Sequence, residues 1–355
     1  MPGDVSMDVN LADLGWNDDW QRSFAAAARP GSQPGRVVIE QRHFYRVVTT
    51  AGEILAQIPG RMLKLGRDHP NLPTVGDWVV IRSGTPGSPS LIESVLPRRT
   101  RIARKTPGRA VTEQVLATNV DVAFIVQAVD RTFNLRRIER FLLLVRDGGV
   151  LPVVLLNKAD VVDSVQAMAR FQADVESIAG GAPVIPCSAR TGRSLGQIRC
   201  HIRPDTTCVF LGVSGAGKSS LINRLHGESV QGTIEVRSDD DKGRHATTSR
   251  ELFLLPKGGL VIDTPGVREL HPWEVGAAMD EVFDDIVALG TGCRFRDCSH
   301  RNEPGCAVQA AVDSGALPRP RLESFLKLSG ERETMSRQRR RGAPNANARP
   351  RPADS

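Results

Sequence analysis

The sequence predicts a multidomain fold with an N-terminal all-β barrel of the OB type, a central α/β domain, and a C-terminal Cys/His domain with short helices. Short apolar runs separated by turn residues fill residues 36–105. From about residue 110, strand-like runs alternate with helical patterns. Near the C-terminus, three cysteines and one histidine fall within fourteen residues.

The chain ends carry little apolar sequence. Residues 1–35 are rich in Gly, Pro, Ser, Ala and Asp, and we expect them to be disordered. Within them, Trp16 and Trp20 lie four positions apart, a spacing that suits one face of a short docked helix. Residues 336–355, dominated by Arg, Pro and Ala, are expected to form a basic disordered tail.

The all-β domain is assigned to residues 36–108. Its apolar runs are RVVIE, FYRVVTT, ILAQI, DWVVI and LIESVL, with AGE, NLPTVGD and SGTPGSP between them. Gly, Pro, Asn and Asp in the intervening segments favour turns. Five such runs predict a five-stranded OB-like barrel.

Basic charge is concentrated in two stretches of a chain whose net charge is +7. Residues 36–109 hold 13 Lys or Arg against 5 Asp or Glu, and residues 319–351 hold 10 against 3. The rest of the chain is therefore acidic. Two separate basic stretches indicate an extended polyanionic partner such as RNA, although solvated surface charge is the plain alternative.

Neither a secretory signal nor a membrane span is expected. The opening residues carry acids where a signal peptide carries bases, and no apolar run reaches the roughly 18 residues of a span. We therefore expect a cytoplasmic protein with no membrane partner.

The central domain is assigned to residues 109–275. The strand VDVAFIVQAV is followed by the helical run LRRIERFLLLVRDG, by VLPVVLLNKAD, and, after a second helix, by VIPCSAR. The pattern continues through CVFLGVSGAGKSSLINRL and LVIDTPG. This alternation predicts a parallel sheet covered by helices.

The strongest motif is GVSGAGKS at 212–219, which matches GxxxxGK[ST] between a strand and a helix. Backbone N–H groups of such a loop surround phosphate oxygens, the lysine reaches the outer phosphates, and the serine binds Mg²⁺. The predicted phosphate-binding residues are Gly212, Val213, Ser214, Gly215, Ala216, Gly217, Lys218, Ser219 and Ser220.

The base is indicated by NKAD at 157–160, at the end of a buried strand. Asn157 is expected to hydrogen-bond the guanine edge, and the alkyl stem of Lys158 is expected to lie over the base plane. Asp160 is expected to accept from two N–H donors that adenine lacks. CSAR at 187–190 supplies the companion loop, where Ser188 and Ala189 face O6 of guanine. Together these motifs predict binding of GTP and GDP.

A carboxylate for the metal side of the site is predicted in DTPG at 263–266. Asp263 suits Mg²⁺ held through water, and the N–H of Gly266 suits the γ-phosphate. The guanine motifs precede the phosphate motifs, the reverse of the usual order in GTPases. A circularly permuted chain still forms the same site, because strands can be cut and rejoined where termini lie close.

These motifs resemble the ribosome small-subunit-dependent GTPase A family (RsgA, or YjeQ), circularly permuted bacterial GTPases. The resemblance covers about residues 36–330. It is carried by PTVGDWV, ATNVDVAFIV, NLRRIERFL, PVVLLNKAD, GVSGAGKSSLIN, GRHATTSREL, IDTPGVREL and the Cys/His segment. It implies binding to the 30S ribosomal subunit and 16S rRNA, GTP hydrolysis stimulated by that binding, and a role in late 30S maturation and release.

By this resemblance GRHATT at 243–248 is the first switch, with Thr247 as the Mg²⁺-coordinating threonine and Thr248 as a neighbour. The family often has Thr where this chain has Ala246. Val267 stands where many GTPases keep a water-positioning Gln, so His245 is the candidate to orient water. The predicted catalytic residues are therefore His245, Lys218 and Thr247.

A closed metal site is predicted at the cysteine cluster. Cys293, Cys298, His300 and Cys306 offer three thiolates and one imidazole, which suits one structural Zn²⁺. Reduced core cysteines are disfavoured because Gly, Arg, Asp and Asn surround them. We assign this domain to residues 276–335. Only 27 positions separate Gly266 from Cys293, so loss of the γ-phosphate is hypothesised to tilt the domain against RNA.

The sequence thus predicts a monomeric GTPase that hydrolyses GTP to GDP and phosphate. Two other readings stay open. The chain could be an RNA-binding module that uses GTP only as a structural ligand, or a P-loop ATPase or small-molecule kinase, against which NKAD and SAR argue.

Overall fold

The computed structural model describes residues 10–41, 44–63, 69–85, 88–105, 113–227, 250–263 and 277–342. The chain divides into two compact units. The first holds residues up to 105 and from 112 to 282, and the second holds 106–111 and residues from 283 onward. Within the described ranges, no helix has the length and apolar character needed to cross a membrane.

Thirteen strands are formed by the described residues. In chain order they are β1 Ser32–Glu40, β2 Phe44–Thr49, β3 Gly52–Gln57, β4 Trp78–Arg82, β5 Ser90–Val95, β6 Arg101–Lys105, β7 Glu113–Thr118, β8 Val122–Ala128, β9 Leu151–Asn157, β10 Val184–Pro186, β11 Thr207–Leu211, β12 Arg250–Leu254 and β13 Leu260–Asp263.

The α-helices of the described residues are short except for the last. They are α1 Asp18–Ala27, α2 Gly60–Leu63, α3 Leu135–Asp147, α4 Val165–Glu176, α5 Leu195–Arg199, α6 Lys218–His226, α7 Ala277–Val282, α8 Asp284–Gly290, α9 Ala307–Asp313 and α10 Arg319–Gly342. Two 3₁₀ turns, Leu11–Leu14 and Ala159–Val161, complete the set.

The predicted five-stranded barrel is confirmed. Its strands follow the order β1-β2-β3-β5-β4, and antiparallel pairing of β1 with β4 closes the ring. Closure removes the free edges of a small sheet. Alternate residues of these strands point inward, and Val37, Val47, Val79, Ile81 and Ile92 form its buried core.

The predicted α/β domain is also confirmed. Five parallel strands run in the order β10-β9-β8-β11-β13, and β12 adds an antiparallel strand beside β13. Strands β8 and β11 are buried along their whole length, as expected for a sheet with helices on both faces. Because these strands are parallel, their carboxyl ends lie at one edge, where ligands bind in open α/β sheets.

Strand β1 joins the barrel to the α/β sheet. Its end pairs with β12, with Ile39 opposite Glu251 and Glu40 opposite Arg250. Arg250 Nη1 donates to the carbonyl oxygen of Val115 at 3.0 Å and lies 3.3 Å from Glu40 Oε2. The barrel and the α/β sheet therefore share a continuous hydrogen-bonded ladder.

The prediction that residues 1–35 are disordered is wrong for residues 10–35. The 3₁₀ turn and α1 are ordered, and Leu11, Leu14 and Trp20 are buried. Trp16 and Trp20 both pack against Trp78 of the barrel, with ring centroids 4.7 and 6.2 Å away, so the proposed docking of a short helix is confirmed. A few large rings bury enough apolar area to outweigh a polar composition.

Arg36 of β1 fixes this N-terminal segment. It is buried, and its guanidinium donates to the carbonyl oxygens of Leu14 and Asn119 and, at 2.8 Å, to Thr207 Oγ1. Burial lowers the Arg36 pKa to about 10. One side chain thus connects the N-terminal turn, the barrel, the turn between β7 and β8, and β11.

Two further differences concern the predicted segment ends. Strands β6 and β7 pair with each other across the predicted boundary at residue 108. In this pair Ile102 lies opposite Ala117, and both residues are buried. Helix α10 continues to Gly342. The prediction that the chain is disordered from residue 336 is therefore wrong for residues 336–342. Residues 343–355 lie outside the described ranges.

The second unit contains α8, α9 and α10. Phe283, Ile286, Val308 and Leu322 are among its buried residues. Phe283 also lies under the guanidinium of Arg321, at 4.3 Å from its ring centroid. The Arg321 guanidinium in turn bonds the carboxylate of Asp285 at 3.0 and 3.1 Å. These contacts hold α10 against α8.

Candidate nucleotide-binding site and metal cluster

The predicted nucleotide motifs meet at one edge of the α/β sheet. NKAD begins at the last residue of β9, CSAR follows β10, GVSGAGKS follows β11, and DTPG begins at the last residue of β13. These four strands are parallel and lie within five neighbouring positions of the sheet. The described residues of these four motifs, which are permuted along the chain, therefore lie at one edge of the sheet.

Two glycines of the phosphate loop are required by close backbone or side-chain approach. A Cβ on Gly212 would lie 2.3 Å from the carbonyl oxygen of Val126. A Cβ on Gly217 would lie 2.1 Å from Asn157 Nδ2, and Gly217 has a φ of 94°. Any side chain at these positions would displace the loop.

Lys218 begins α6 and bends back over its own loop. Its Nζ donates to the carbonyl oxygens of Gly212 at 2.8 Å and Val213 at 3.0 Å. Burial lowers the Lys218 pKa, and the nearby Asp263 carboxylate opposes that shift. Ser219 and Ser220 are exposed in the first turn of α6, where helix N–H groups favour anions.

Asn157 connects the three loops of the site. Its Oδ1 accepts from the N–H of Ala189 at 3.0 Å, and its Nδ2 donates to the carbonyl oxygen of Ala216 at 2.8 Å. The side chain is buried. Asn157 therefore holds the CSAR loop and the phosphate loop together. Its direct contact with the guanine edge stays a prediction.

Asp160 is held by the neighbouring CSAR loop. Its Oδ1 accepts from Ser188 Oγ, and its Oδ2 accepts from Arg190 Nε at 2.7 Å. The Ser188 hydrogen bond lowers the Asp160 pKa, and Arg190 adds to the shift. A carboxylate that stays ionised is the acceptor that two guanine N–H groups require.

Three residues near the site were missed by the sequence analysis. Arg190 contacts Asp160, and Asp130 Oδ2 accepts from Lys158 Nζ at 2.9 Å. Arg224 of α6 donates to the carbonyl oxygen of Ala189. Asp130 follows β8, so a polar residue at the carboxyl end of a buried strand was the available signal.

The switch residues fall outside the described ranges. His245, Thr247 and Gly266, together with Ala246, Thr248 and Val267, belong to segments on which the structure gives no description. Asp263 is described at the end of β13, paired in register with Glu251 of β12. The roles assigned to these switch residues stay predictions.

The four predicted metal ligands lie together in the second unit. One ligand atom from each of Cys293, Cys298, His300 and Cys306 falls within 4.8 Å of the other three. Cys293 Sγ and Cys306 Sγ each lie 3.5 Å from His300 Nδ1 and 3.8 Å from each other. The cluster forms at the start of α9. Its geometry suits a metal ion.

Comparison with known proteins agrees with this geometry. The profile of the family described as RsgA GTPase matches residues 95–273. Proteins named "Small ribosomal subunit biogenesis GTPase RsgA" are 44% identical in Opitutus terrae, covering 93% of this chain and 91% of that protein. In Streptomyces coelicolor the identity is 43%, covering 91% and 87%.

Two solved structures are similar over nearly their whole length. YjeQ from Thermotoga maritima is 26% identical, with a TM-score of 0.59, covering 85% of this chain and 99% of that chain. YloQ, described as a circularly permuted GTPase, is 27% identical, with a TM-score of 0.57, covering 88% and 97%. The profile match and the curated relatives show that the chain belongs to the RsgA family of circularly permuted GTPases.

Proposed function

We propose that this protein binds the 30S ribosomal subunit, hydrolyses GTP in response, and uses hydrolysis to leave the maturing particle. The observation that carries the proposal is the convergence of NKAD, CSAR and the phosphate loop at one sheet edge. Two relatives named for small-subunit biogenesis, at 44% and 43% identity over most of the chain, support the partner.

Guanine selection rests on Asp160. Its carboxylate accepts hydrogen bonds from N1 and the exocyclic amine, while Ser188 holds it in place. The N–H of Ala189, which donates to Asn157 Oδ1 in this structure, would donate to O6 of guanine when the nucleotide binds. Adenine lacks the donor pair and would leave the carboxylate unpaired at a cost of about 1–3 kcal/mol.

Phosphate binding rests on the loop from Gly212 to Gly217 and the first turn of α6. The bonds from Lys218 Nζ to its own loop carbonyls are exchanged for charge-assisted bonds to phosphate oxygens. Ser219 and Thr247 would hold Mg²⁺, with Asp263 acting through water. The ion neutralises charge that develops on the phosphates.

Hydrolysis is proposed to depend on the partner. Val267 occupies the position of a water-orienting Gln, so the intrinsic rate is low. His245 is the residue proposed to orient the attacking water. Docking on the 30S subunit would bring this first-switch residue into position.

The metal cluster is proposed to hold one structural Zn²⁺. A tetrahedral site with Zn–S bonds of about 2.3 Å places its sulfur atoms about 3.8 Å apart. Cys293 and Cys306 Sγ are 3.8 Å apart. Four protein ligands leave no open position, so the ion stabilises the domain and performs no chemistry.

The partner is proposed to be 16S rRNA within the 30S subunit, contacted by the barrel and by the C-terminal domain. Both predicted contact regions carry the basic stretches 36–109 and 319–351. Phosphate neutralisation by such charge makes binding salt-dependent. We further propose that the protein acts as a cytoplasmic monomer.

The test is GTP hydrolysis with and without purified 30S subunits, with the Lys218→Ala variant as control. We expect slow turnover alone, strong stimulation by 30S, and loss of both in the variant. A slow rate that 30S subunits do not change would be consistent with the proposed GTP site but would reject the 30S subunit as the partner. Intact 30S binding without stimulated turnover would favour an RNA-binding module with structural GTP.

A further inference from the structure

The loop between the first two metal ligands presents an exposed aromatic ring. Phe295 lies between Cys293 and Cys298, and 42% of its surface is exposed. Among the described phenylalanines, only Phe44 is comparably exposed, at 41%. Of the other phenylalanine rings described in this unit, Phe283 is buried and Phe325 is half-buried. Aromatic side chains presented on the surface of RNA-binding proteins are platforms on which unpaired bases stack.

Three arginines lie in the same segment as this ring. Arg294, Arg296 and Arg301 are exposed, and the Arg294 guanidinium lies 5.5 Å from the centroid of the Phe295 ring. Within the described part of the chain, none of these three arginines forms an ion pair. Their charges therefore remain available to a partner.

Two acids of the same segment, Asp297 and Glu303, offset part of that charge. Glu303 is occupied by the loop itself, since its carboxylate accepts from the N–H groups of Ser299 and Arg301 at 2.9 Å and of Asn302 at 3.1 Å. Asp297 is exposed and is outnumbered by the arginines. Three arginines against two acids leave residues 294–303 with a net charge of +1.

The ring is held on a fixed loop. The N–H of Arg294 donates to the carbonyl oxygen of Gly305 at 3.1 Å, and the N–H of Cys298 donates to that of Phe295 at 3.3 Å. Gln309 Nε2 bonds the carbonyl oxygens of His300 and Arg301 at 2.8 and 2.9 Å. A preorganised ring loses little conformational entropy on binding.

We propose that Phe295 is a stacking platform for an unpaired RNA base, with Arg294 and Arg296 contacting the adjacent phosphates. This inference rests on the proposed function, which makes structured RNA the partner. Unpaired bases stack on aromatic rings and on guanidinium planes, and each stacked base contributes about 1–3 kcal/mol. A polyanion matches the net positive surface, whereas an apolar protein groove would leave the arginines unpaired.

The experiment compares wild type with Phe295→Ala, Phe295→Trp and the control Val287→Ala. Val287 lies on α8 of the same unit and is 41% exposed, so its truncation also removes exposed apolar surface but no ring. Affinity is measured for purified bacterial 30S subunits and for protein-free 16S rRNA, and bound zinc is determined for each variant.

We expect Phe295→Ala to keep its zinc and to weaken binding to both probes about tenfold, within a range of roughly 5- to 100-fold. Phe295→Trp should retain affinity, and its added fluorescence over wild type should be quenched when RNA binds. Val287→Ala should bind as wild type does.

Equal binding by wild type and Phe295→Ala would overturn the stacking role and leave the proposed function intact. A loss seen with 30S subunits but not with free 16S rRNA would assign Phe295 to a ribosomal protein and also overturn it. Wild type that binds neither probe would reject the proposed function together with this inference.

Discussion

Arg224 donates from Nε to the carbonyl oxygen of Ala189 across 3.0 Å, and from Nη2 to that of Arg190 across 2.8 Å. This guanidinium connects α6, which carries the lysine proposed to bind phosphate, to the loop proposed to contact O6 of guanine. Asn157 makes a second connection between the same two regions through Ala216 and Ala189. Hydrogen bonds from Arg224 and Asn157 therefore connect the loop proposed to bind the base with the loop and helix proposed to bind phosphate.

Arg224→Ala should weaken binding of GDP and GTP about 5- to 30-fold, because two carbonyl groups of the CSAR loop lose their partner. Turnover at saturating GTP should change little. Arg199→Ala is the matched control, since Arg199 Nη2 caps the α6 carbonyl of Leu225 at 3.1 Å without touching that loop. Equal losses in both variants, measured by nucleotide titration, would mean that Arg224 acts only on stability.

Asp160→Asn should shift preference from guanine to xanthine nucleotides. The amide keeps an acceptor for N1–H and gains a donor for the 2-oxo group of xanthine, but it cannot accept from the guanine amine. We expect GDP affinity to fall at least tenfold while XDP affinity rises. Competition titrations measure both, and a variant that lost affinity without gaining XDP would contradict the assignment.

Trp20→Ala should lower the free energy of unfolding by about 3 kcal/mol, because it removes a buried ring that packs on Trp78. Arg22→Ala on the same helix is the control. Its ion pair with Asp19 is exposed and should contribute less than about 1 kcal/mol. Denaturant titration separates the two, and a neutral Trp20→Ala would show that the segment is dispensable.

Cys306→Ser should abolish zinc retention and destabilise the second unit, because three ligands no longer close the tetrahedron. Cys200→Ser is the control, since Cys200 is exposed and lies outside the cluster. Elemental analysis of protein purified without added zinc should give one ion per chain for wild type and the control. Zinc-free wild type would reject the metal assignment.

His245→Ala should leave GTP affinity unchanged and depress 30S-stimulated turnover, by about 10²- to 10⁴-fold if His245 positions the attacking water in the transition state. Both quantities come from one set of titrations and steady-state rates. Unchanged stimulated turnover would remove His245 from the mechanism.

The sequence by itself determined the chemistry that short motifs carry. GVSGAGKS, NKAD and CSAR each combine their functional residues with the strand end or helix start that presents them, so position follows from local pattern. The same holds for Cys293, Cys298, His300 and Cys306, whose close spacing alone brings four ligands together. The barrel and the parallel sheet were equally visible, because apolar periodicity is a local signal.

Only the tertiary structure decided which distant residues meet. The contacts of Arg224 with Ala189, Arg36 with Thr207, and Lys158 with Asp130 join positions between 28 and 171 residues apart. No local pattern marks such partners, since an exposed and a buried arginine look alike in sequence. Trp20 is likewise buried by a residue that is distant in sequence. The polar N-terminal segment is ordered because Trp78 of β4 provides an apolar surface for it, and the composition of the segment alone does not reveal that contact.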